Sequence, residues 1–334
     1  MWMLLLALTA LAQETADEAQ TEPTVEQVQG EPPAEPALEV ASVAELADQA
    51  WTRIKHADYD GARILLDQAD ERAQTDREKA EVAYFRAISH ELDDDAEAAL
   101  SMYQSLTAGY PDIRTQDVAF RTAEVLGSLD RFDEAAALLD GLGELSREDN
   151  VKVNLVRSIW VLRKGNRDEG RLAIRTALGS AEPGDHSFYQ AKARAYLVES
   201  YIEQAAESSF DVKPKHQDNV AELRALLVKT AEFEVREVIA LKEIEWILHG
   251  LMLLGDGYVA IGDDILAAPP TKKISKKESR MALWNEGLAK KSETVWLKGI
   301  EAYELGIDLA LANQWESKRV QMLQDRKQAA MDKF

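Results

Sequence analysis

The chain has 334 residues, 46% hydrophobic and 30% charged, enough to bury a sizeable core and stay in solution. Its 60 acidic residues against 39 Lys and Arg leave a formal net charge of −21. That excludes a nucleic-acid-binding face spread over the chain, because neutralising phosphate needs clustered cations. The absence of Cys excludes a disulfide framework, a thiolate zinc site, a catalytic Cys and a lipid-modified N-terminal Cys.

Trp2 to Ala12 is a short apolar run that closes on Ala10-Leu11-Ala12, a small-x-small pattern, before the acidic Gln13-Glu14. It resembles a secretory signal peptide over residues 1–12, so export to the periplasm and cleavage near Ala12 are expected. The run is too short to cross a bilayer, and no integral membrane segment is expected in the mature chain. Residues 13–42 carry Pro23, Pro32, Pro33 and Pro36 among many acids, and the first basic residue is Arg53. Such a stretch buries too little surface to offset its ordering entropy, so an acidic, Pro-stiffened, disordered tether is expected.

From residue 43 to 206 a pattern recurs, clearest at Ala57 to Ala69: a turn, then an amphipathic helix with a small residue near its start. Similar stretches stand at Asp94 to Leu106, Asp130 to Leu142 and Gly165 to Ala177. Each follows a first helix, predicted to start near Val43, Lys79, Asp117 and Val151, with a small residue at Ala50, Ala87, Ala123 or Ser158. The second helices carry Ala62, Ala99, Ala135 and Gly170, spaced by 37, 36 and 35 residues. Four residues on come Leu66, Tyr103, Leu139 and Ile174; three further come Ala69, Leu106, Leu142 and Ala177. Offsets of four and three put these positions on one helical face.

These residues resemble the tetratricopeptide repeat family, paired antiparallel helices with a period of about 34 residues. Tyr59 and Phe132 match its aromatic before the second helix, and Pro111 and Pro183 stand where a repeat closes. The Trp, Leu and Tyr expected early in each first helix are mostly missing, and Gly170 replaces Ala. The resemblance implies an all-α, right-handed solenoid; an ordinary helical bundle with Ala-rich interfaces is the alternative. In such a solenoid the first helices line a concave face. By register with the family that face comprises Trp51, Lys55, Tyr84, Ile88, Glu91, Phe120, Glu124, Lys152, Leu155 and Ile159. The Lys and Asn with which family members clamp a peptide carboxylate are absent there, so an apolar helix or extended peptide is the expected ligand. The competing reading is that these side chains pack the first helices against one another.

Residues 207–334 read as longer helices capping the array. His186 to Ala206 looks like a fifth first helix, and Ser208 to Gln217, interrupted by Pro214, like a loop. Helices are predicted over Asp218–Ala240 and Ile244–Ala267, the latter apolar nearly all round and therefore buried. Beyond Pro269-Pro270 and a basic turn, a long helix fits Glu278–Ala312 and a last one Gln314–Met331, with Asn313 as a cap between them. Glu245-Trp246, Leu254-Gly255-Asp256-Gly257-Tyr258, Ala268-Pro269-Pro270, Ala302-Tyr303-Glu304 and Asn313-Gln314-Trp315-Glu316 together resemble the ends of envelope-associated tetratricopeptide proteins of gliding and predatory delta-type bacteria. That resemblance implies a periplasmic or outer-membrane-associated scaffold.

No catalytic, cofactor or metal constellation stands out. His56, His90, His186, His216 and His249 show no ligand spacing and read as surface or turn residues. Asp93-Asp94-Asp95 reads as a turn, without the Gly and Glu of a calcium loop. Gly255-Asp256-Gly257 falls inside a helix, not after a strand, so it is no phosphate loop. Glu199-Ser200-Tyr201 and Gly250-Leu251-Met252 resemble fragments of the lytic transglycosylase domain, yet they lie about fifty residues apart and Leu253 stands where that domain has Gln. Lys272, Lys273, Lys276 and Lys277 are the one local basic cluster, suited to a peripheral contact with an anionic envelope surface. The expected function is a non-enzymatic protein–protein scaffold of the cell envelope, as part of a motility or envelope-spanning machine. A cell-wall hydrolase or accessory and a cytosolic adaptor are the alternatives.

Overall fold

The computed structural model describes residues 41–334 except 183, 211, 214 and 215. The expected signal peptide, nearly all of the tether, Pro183 and Pro214 lie outside the described residues. Among those described, the fold is all-α, with no strand. The first eight helices form four hairpins: α1 (Val43–Lys55) with α2 (Tyr59–Asp70), α3 (Asp76–Leu92) with α4 (Ala96–Gly109), α5 (Thr115–Ser128) with α6 (Phe132–Asp140), and α7 (Arg147–Arg163) with α8 (Arg167–Gly179). Then come α9 (Ser187–Glu207), α10 (Gln217–Ala240), α11 (Ile244–Leu266), the short α12 (Lys272–Ser275), α13 (Glu278–Ala312) and α14 (Lys318–Met331).

Caps set where the helices begin. Ser42 Oγ accepts from the Glu45 N–H at 3.3 Å while Glu45 accepts from the Ser42 N–H at 2.7 Å, and Thr75 and Glu78 form the same reciprocal pair. Ser146 caps α7 through the Asp149 N–H at 3.0 Å. These caps start α3 at Asp76 and α7 at Arg147, ahead of Lys79 and Val151, and α5 likewise starts at Thr115, ahead of Asp117. A polar first turn leaves no hydrophobic period to read; in α3 and α7 a side-chain cap satisfies one of its orphan N–H groups.

The hairpins share one turn. Ala57, Asp94, Asp130 and Gly165 all take positive φ, five residues before Ala62, Ala99, Ala135 and Gly170 respectively. The next N–H reaches back to close the preceding helix: Asp58 to Arg53 O, Asp95 to His90 O and Arg131 to Leu126 O. Asp58, Asp95 and Asn166 then cap the following helix with their side chains.

The small residues sit where the pattern places them. Ala50, Ala87, Ala123, Ala62, Ala99 and Ala135 are wholly buried. A Cβ on Gly170 would lie 2.4 Å from Leu162 Cα, so α7 and α8 approach more closely than Ala permits. Within the array α1 packs on α3 and α7 on α9; α9 then packs on α10 and α11, and α11 on α13. One apolar core runs from Leu46 in α1 to Leu309 in α13, without a break at residue 207. A second cluster of Leu248, Met252, Ile300, Tyr303, Ala310, Leu323 and Ala330 lies where α14 covers α11 and α13.

Among the described residues α11 is the one helix long and apolar enough to cross a membrane. It is a core helix here, with its carboxylates tied to neighbours: Asp256 to Tyr303 Oη at 2.7 Å, Asp263 to Trp296 Nε1 at 3.0 Å and Asp264 to Arg224 at 2.7 Å. Two local expectations are corrected. The last helix starts at Lys318, because Gln314 takes positive φ and the Trp315 N–H closes α13 on Ala310 O; Asn313 caps the end of α13, donating to Leu309 O at 2.8 Å. The basic turn begins as a helix, α12, because Thr271 Oγ1 accepts from the Ile274 N–H.

Candidate binding cleft

The ten residues assigned to a concave groove are mostly inside. Tyr84, Ile88, Phe120, Glu124, Leu155 and Ile159 are buried; Trp51, Glu91 and Lys152 are half-buried, and only Lys55 is exposed. Five of them converge on one polar-aromatic cluster with residues the groove reading left out. Glu91 accepts from Tyr103 Oη at 2.6 Å and from Arg121 at 3.0 Å, and Arg121 also donates to Tyr84 Oη at 3.2 Å. Glu124 accepts from Tyr189 Oη at 2.7 Å and Lys192 Nζ at 2.8 Å, both on α9. Lys152 Nζ sits 3.6 Å from the Phe120 ring centre, and Tyr189 meets Phe120 edge-on. Trp51 stacks at a tilt on Phe85, with Lys55 beside its ring; Ile88, Leu155 and Ile159 belong to the apolar core.

Each carboxylate of this cluster is paired with a cation. Burial pushes Glu124 up, but Lys192 and Arg121 outweigh it and hold the carboxyl below its usual range. Burial pulls Lys192 down, and Glu124 more than restores it. Burial and Glu124 together push Tyr189 up, so it remains a neutral donor. With α9 and its side chains against α5, this stretch of the first-helix face is filled by the chain itself.

Open space lies instead along the hairpin turns, facing α9, α11 and the segment that enters α14. Two lobes meet there, sharing Asp94, His249 and Arg319. The first, about 810 Å³, lies between the turns at Asp58 and Asp93, Glu245 and Met252 of α11, and Trp315 with Lys318. The second, about 820 Å³, lies between the turns at Asp130 and Gly165, Tyr196, Glu199 and Glu203 of α9, and Trp246 of α11. Both fall in the size range of ligand clefts.

The far end of the chain builds the first lobe. Lys318 Nζ lies 2.5 Å from Asp93 Oδ1, Arg63 holds the other oxygen at 3.0 Å, and Trp315 Nε1 donates to Glu245 at 3.0 Å. Burial pushes Asp93 up, but its two cations outweigh that and keep it low. In the second lobe Glu199 is pushed up by burial and by neighbouring Glu203, against Arg163. His249 is pushed down to about 3 by burial and by Arg319 and Arg326. Its Nδ1 and the Trp246 Nε1 have no hydrogen-bond partner.

His249 is therefore a correction to the reading of all five histidines as surface or turn residues: it lies inside α11, whereas His56, His90, His186 and His216 do stand at helix ends. Glu199 and Met252, from the two transglycosylase-like fragments, line the cleft, but in different lobes. Ser200 is occupied, its hydroxyl and carbonyl both accepting from Arg171. Lys272, Lys273, Lys276 and Lys277 are exposed and line neither lobe.

Sequence reasoning missed this cleft because it looked to helix faces, whereas turns form its rim. Two local signals were present: an acid at or beside each of the first three hairpin turns, and aromatic–polar pairs at i,i+3, Tyr196 with Glu199 and Trp246 with His249. Comparison of the sequence with protein-family models and with curated proteins finds no match to either.

Proposed function

We propose that this chain is a non-enzymatic protein-binding scaffold, a right-handed array of tetratricopeptide-like hairpins with a C-terminal helical cap. The carrying observation is the common turn at Ala57, Asp94, Asp130 and Gly165, whose members contribute to one two-lobed cleft while the helix faces are consumed by packing. A repeated turn presented along one edge suits recognition of an extended segment, since each repeat offers the same backbone geometry at a regular step. The signal-like N-terminus and the likeness of the C-terminal helices to envelope proteins support work in the periplasm, within a motility or envelope-spanning machine. Lys272, Lys273, Lys276 and Lys277 offer a peripheral contact with anionic lipid there.

Site-specific photo-cross-linking in the native envelope tests the reading. A photoreactive residue at Asp130 in the cleft should capture a protein, and one at Glu144, exposed and outside it, should not. Equal capture at both positions, or none, counts against a cleft-binding scaffold. A mature chain beginning at Gln13 supports export; retention of Met1 favours the cytosolic adaptor.

One observation favours the rival hydrolase reading: Glu199, a raised carboxyl in a cleft, has the character of a general acid. Release of peptidoglycan fragments by the purified chain, abolished in Glu199→Gln, would replace the scaffold reading.

A further inference from the structure

The chain's surplus of acid is not spread evenly. Residues 272–291, covering α12 and the first turns of α13, carry seven cations, Lys272, Lys273, Lys276, Lys277, Arg280, Lys290 and Lys291, against Glu278 and Glu286. All seven are exposed, and among the described residues none makes an ion pair or a side-chain hydrogen bond, even with those two acids. Like charges set this close repel one another, so the face carries a positive field with no counter-ion of its own. Its outward stripe on α13 runs Arg280, Leu283, Gly287 and Lys290, one helical face by spacing. Leu283 is 69% exposed there, whereas Met281, Trp284 and Leu288 are half-buried or buried. A stripe with one large apolar side chain among cations suits an acidic peptide better than insertion into a bilayer, which draws on several.

The complementary charge is in the same chain. Residues 13–40 hold eight acids, from Glu14 to Glu39, and no Lys or Arg. Glu14, Asp17, Glu18 and Glu22 stand together, and the stretch that follows, 23–40, holds Pro23, Pro32, Pro33 and Pro36. Length fits that order. Trp315, just past α13, lies against His56 at the end of α1, with ring centres 6.1 Å apart. The basic end of α13 therefore stands about one helix length from the first hairpin, ~52 Å for 35 residues. Residues 23–40 in a polyproline conformation would span up to ~56 Å, enough to bring Glu14 to Glu22 to the lysines. The net charge of −21 disfavours such a segment over the rest of the surface.

We propose that the acidic stretch Glu14 to Glu22 lies on the lysine face of α12 and α13 of its own chain, with residues 23–40 as the spacer. Tethering makes the pairing intramolecular, which offsets the small worth of each exposed ion pair. This goes beyond the scaffold reading: an anionic surface meets Lys272 to Lys277 only by displacing the chain's own segment.

The full chain has no Cys, so Ala19→Cys with Ser279→Cys places two spin labels at chosen sites. Pulsed electron-spin distances at low salt should show a narrow population well inside the ~52 Å length of α13. Glu14→Gln, Asp17→Asn, Glu18→Gln and Glu22→Gln together should abolish it. Glu26→Gln, Glu31→Gln, Glu35→Gln and Glu39→Gln together remove an equal charge from the spacer and should leave it in place. Lys276→Gln with Lys277→Gln, both exposed, should lose most of it, as should ~1 M salt, where the Debye length falls to about 3 Å. No short distance in the parent chain overturns the proposal, and so does equal loss in the two acid variants, which means diffuse attraction. A short distance found only between labels on separate copies overturns the own-chain pairing in favour of a second copy. Vesicles of phosphatidylglycerol in phosphatidylcholine supply the lipid arm. The variant altered at Glu14 to Glu22 should bind them several-fold more than the spacer variant; equal binding means that the lysines are not covered and overturns the proposal. Capture of a protein at Asp130 is read separately, so the scaffold reading stands or falls on its own.

Discussion

Lys192 Nζ on α9 lies 2.8 Å from Glu124 Oε1 on α5, a pair 68 residues apart that joins the third hairpin to the helix following the fourth. Glu124 is buried and also accepts from Tyr189, so its charge depends on these partners. Lys192→Met should destabilise the chain by about 3–5 kcal/mol, the cost of stranding one charge of a buried pair. Adding Glu124→Gln, which removes that charge and keeps an acceptor for Tyr189, should recover at least half of the loss. Urea unfolding of the single and double variants measures both; no recovery would mean that the pair is not the source of the cost.

Glycine placement on α11 and α13 gives a prediction of opposite signs. A Cβ at Gly255 would come within 2.2 Å of the Tyr303 ring, which is buried and anchored through its hydroxyl to Asp256. Gly255→Ala should therefore cost about 1–3 kcal/mol despite the better helix propensity of Ala. A Cβ at Gly287 on α13 meets nothing within 4 Å. There Gly287→Ala should stabilise by up to about 1 kcal/mol. Thermal melts should move in opposite directions for the two variants.

Acid should weaken the fold through His249. Its folded value is depressed to about 3 from the usual 6.5, so the unfolded chain binds the proton first. Stability is then lost as pH falls from about 6.5 towards 3, with a slope of about 1.4 kcal/mol per pH unit from this group. His249→Leu, which cannot be protonated, should flatten the loss across that window. Denaturation midpoints at pH 7, 6 and 5 check it; parallel slopes in both proteins would assign the acid sensitivity to other groups.

The junction between the chain's end and its first hairpins should be open to charge reversal. Lys318 is exposed, and Asp93 holds it together with Arg63. With Lys318 in solvent the pair is worth little by itself, about 0–1 kcal/mol, but Lys318→Glu sets a carboxylate against the largely buried Asp93 and against Asp94 and Asp60. Global stability should fall by less than about 1 kcal/mol, while amide exchange should accelerate in Trp315 to Gln324 and in the turns at Ala57 and Asp94. Unchanged exchange there would show that apolar packing around Trp315 holds the junction without the ion pair.

Much of the local structure was legible in the residues. The apolar period identifies α11 as a core helix, whereas the Ser42–Glu45 and Thr75–Glu78 caps lie in polar first turns outside that period and went unread. The hairpin register followed from Ala62, Ala99, Ala135 and Gly170, because a helix tolerates a close neighbour only where side chains are small. Candidate-site residues were less legible. Trp51, Tyr84, Phe120 and Leu155 form an aromatic-apolar row that reads equally as a ligand groove and as packing.

By itself, then, the sequence determined the all-α class, most helix boundaries to within about four residues, and the repeating hairpin with its small-residue contacts, since turns and periodicity are interactions over a few residues. Only the tertiary structure decided what fills the inner face. Packing between helices distant in the chain brings Tyr189 and Lys192 onto Glu124 and, across 225 residues, Lys318 onto Asp93. Those long-range contacts bury most of the expected groove and leave open space along the turns, where Glu199, Trp246 and His249 meet.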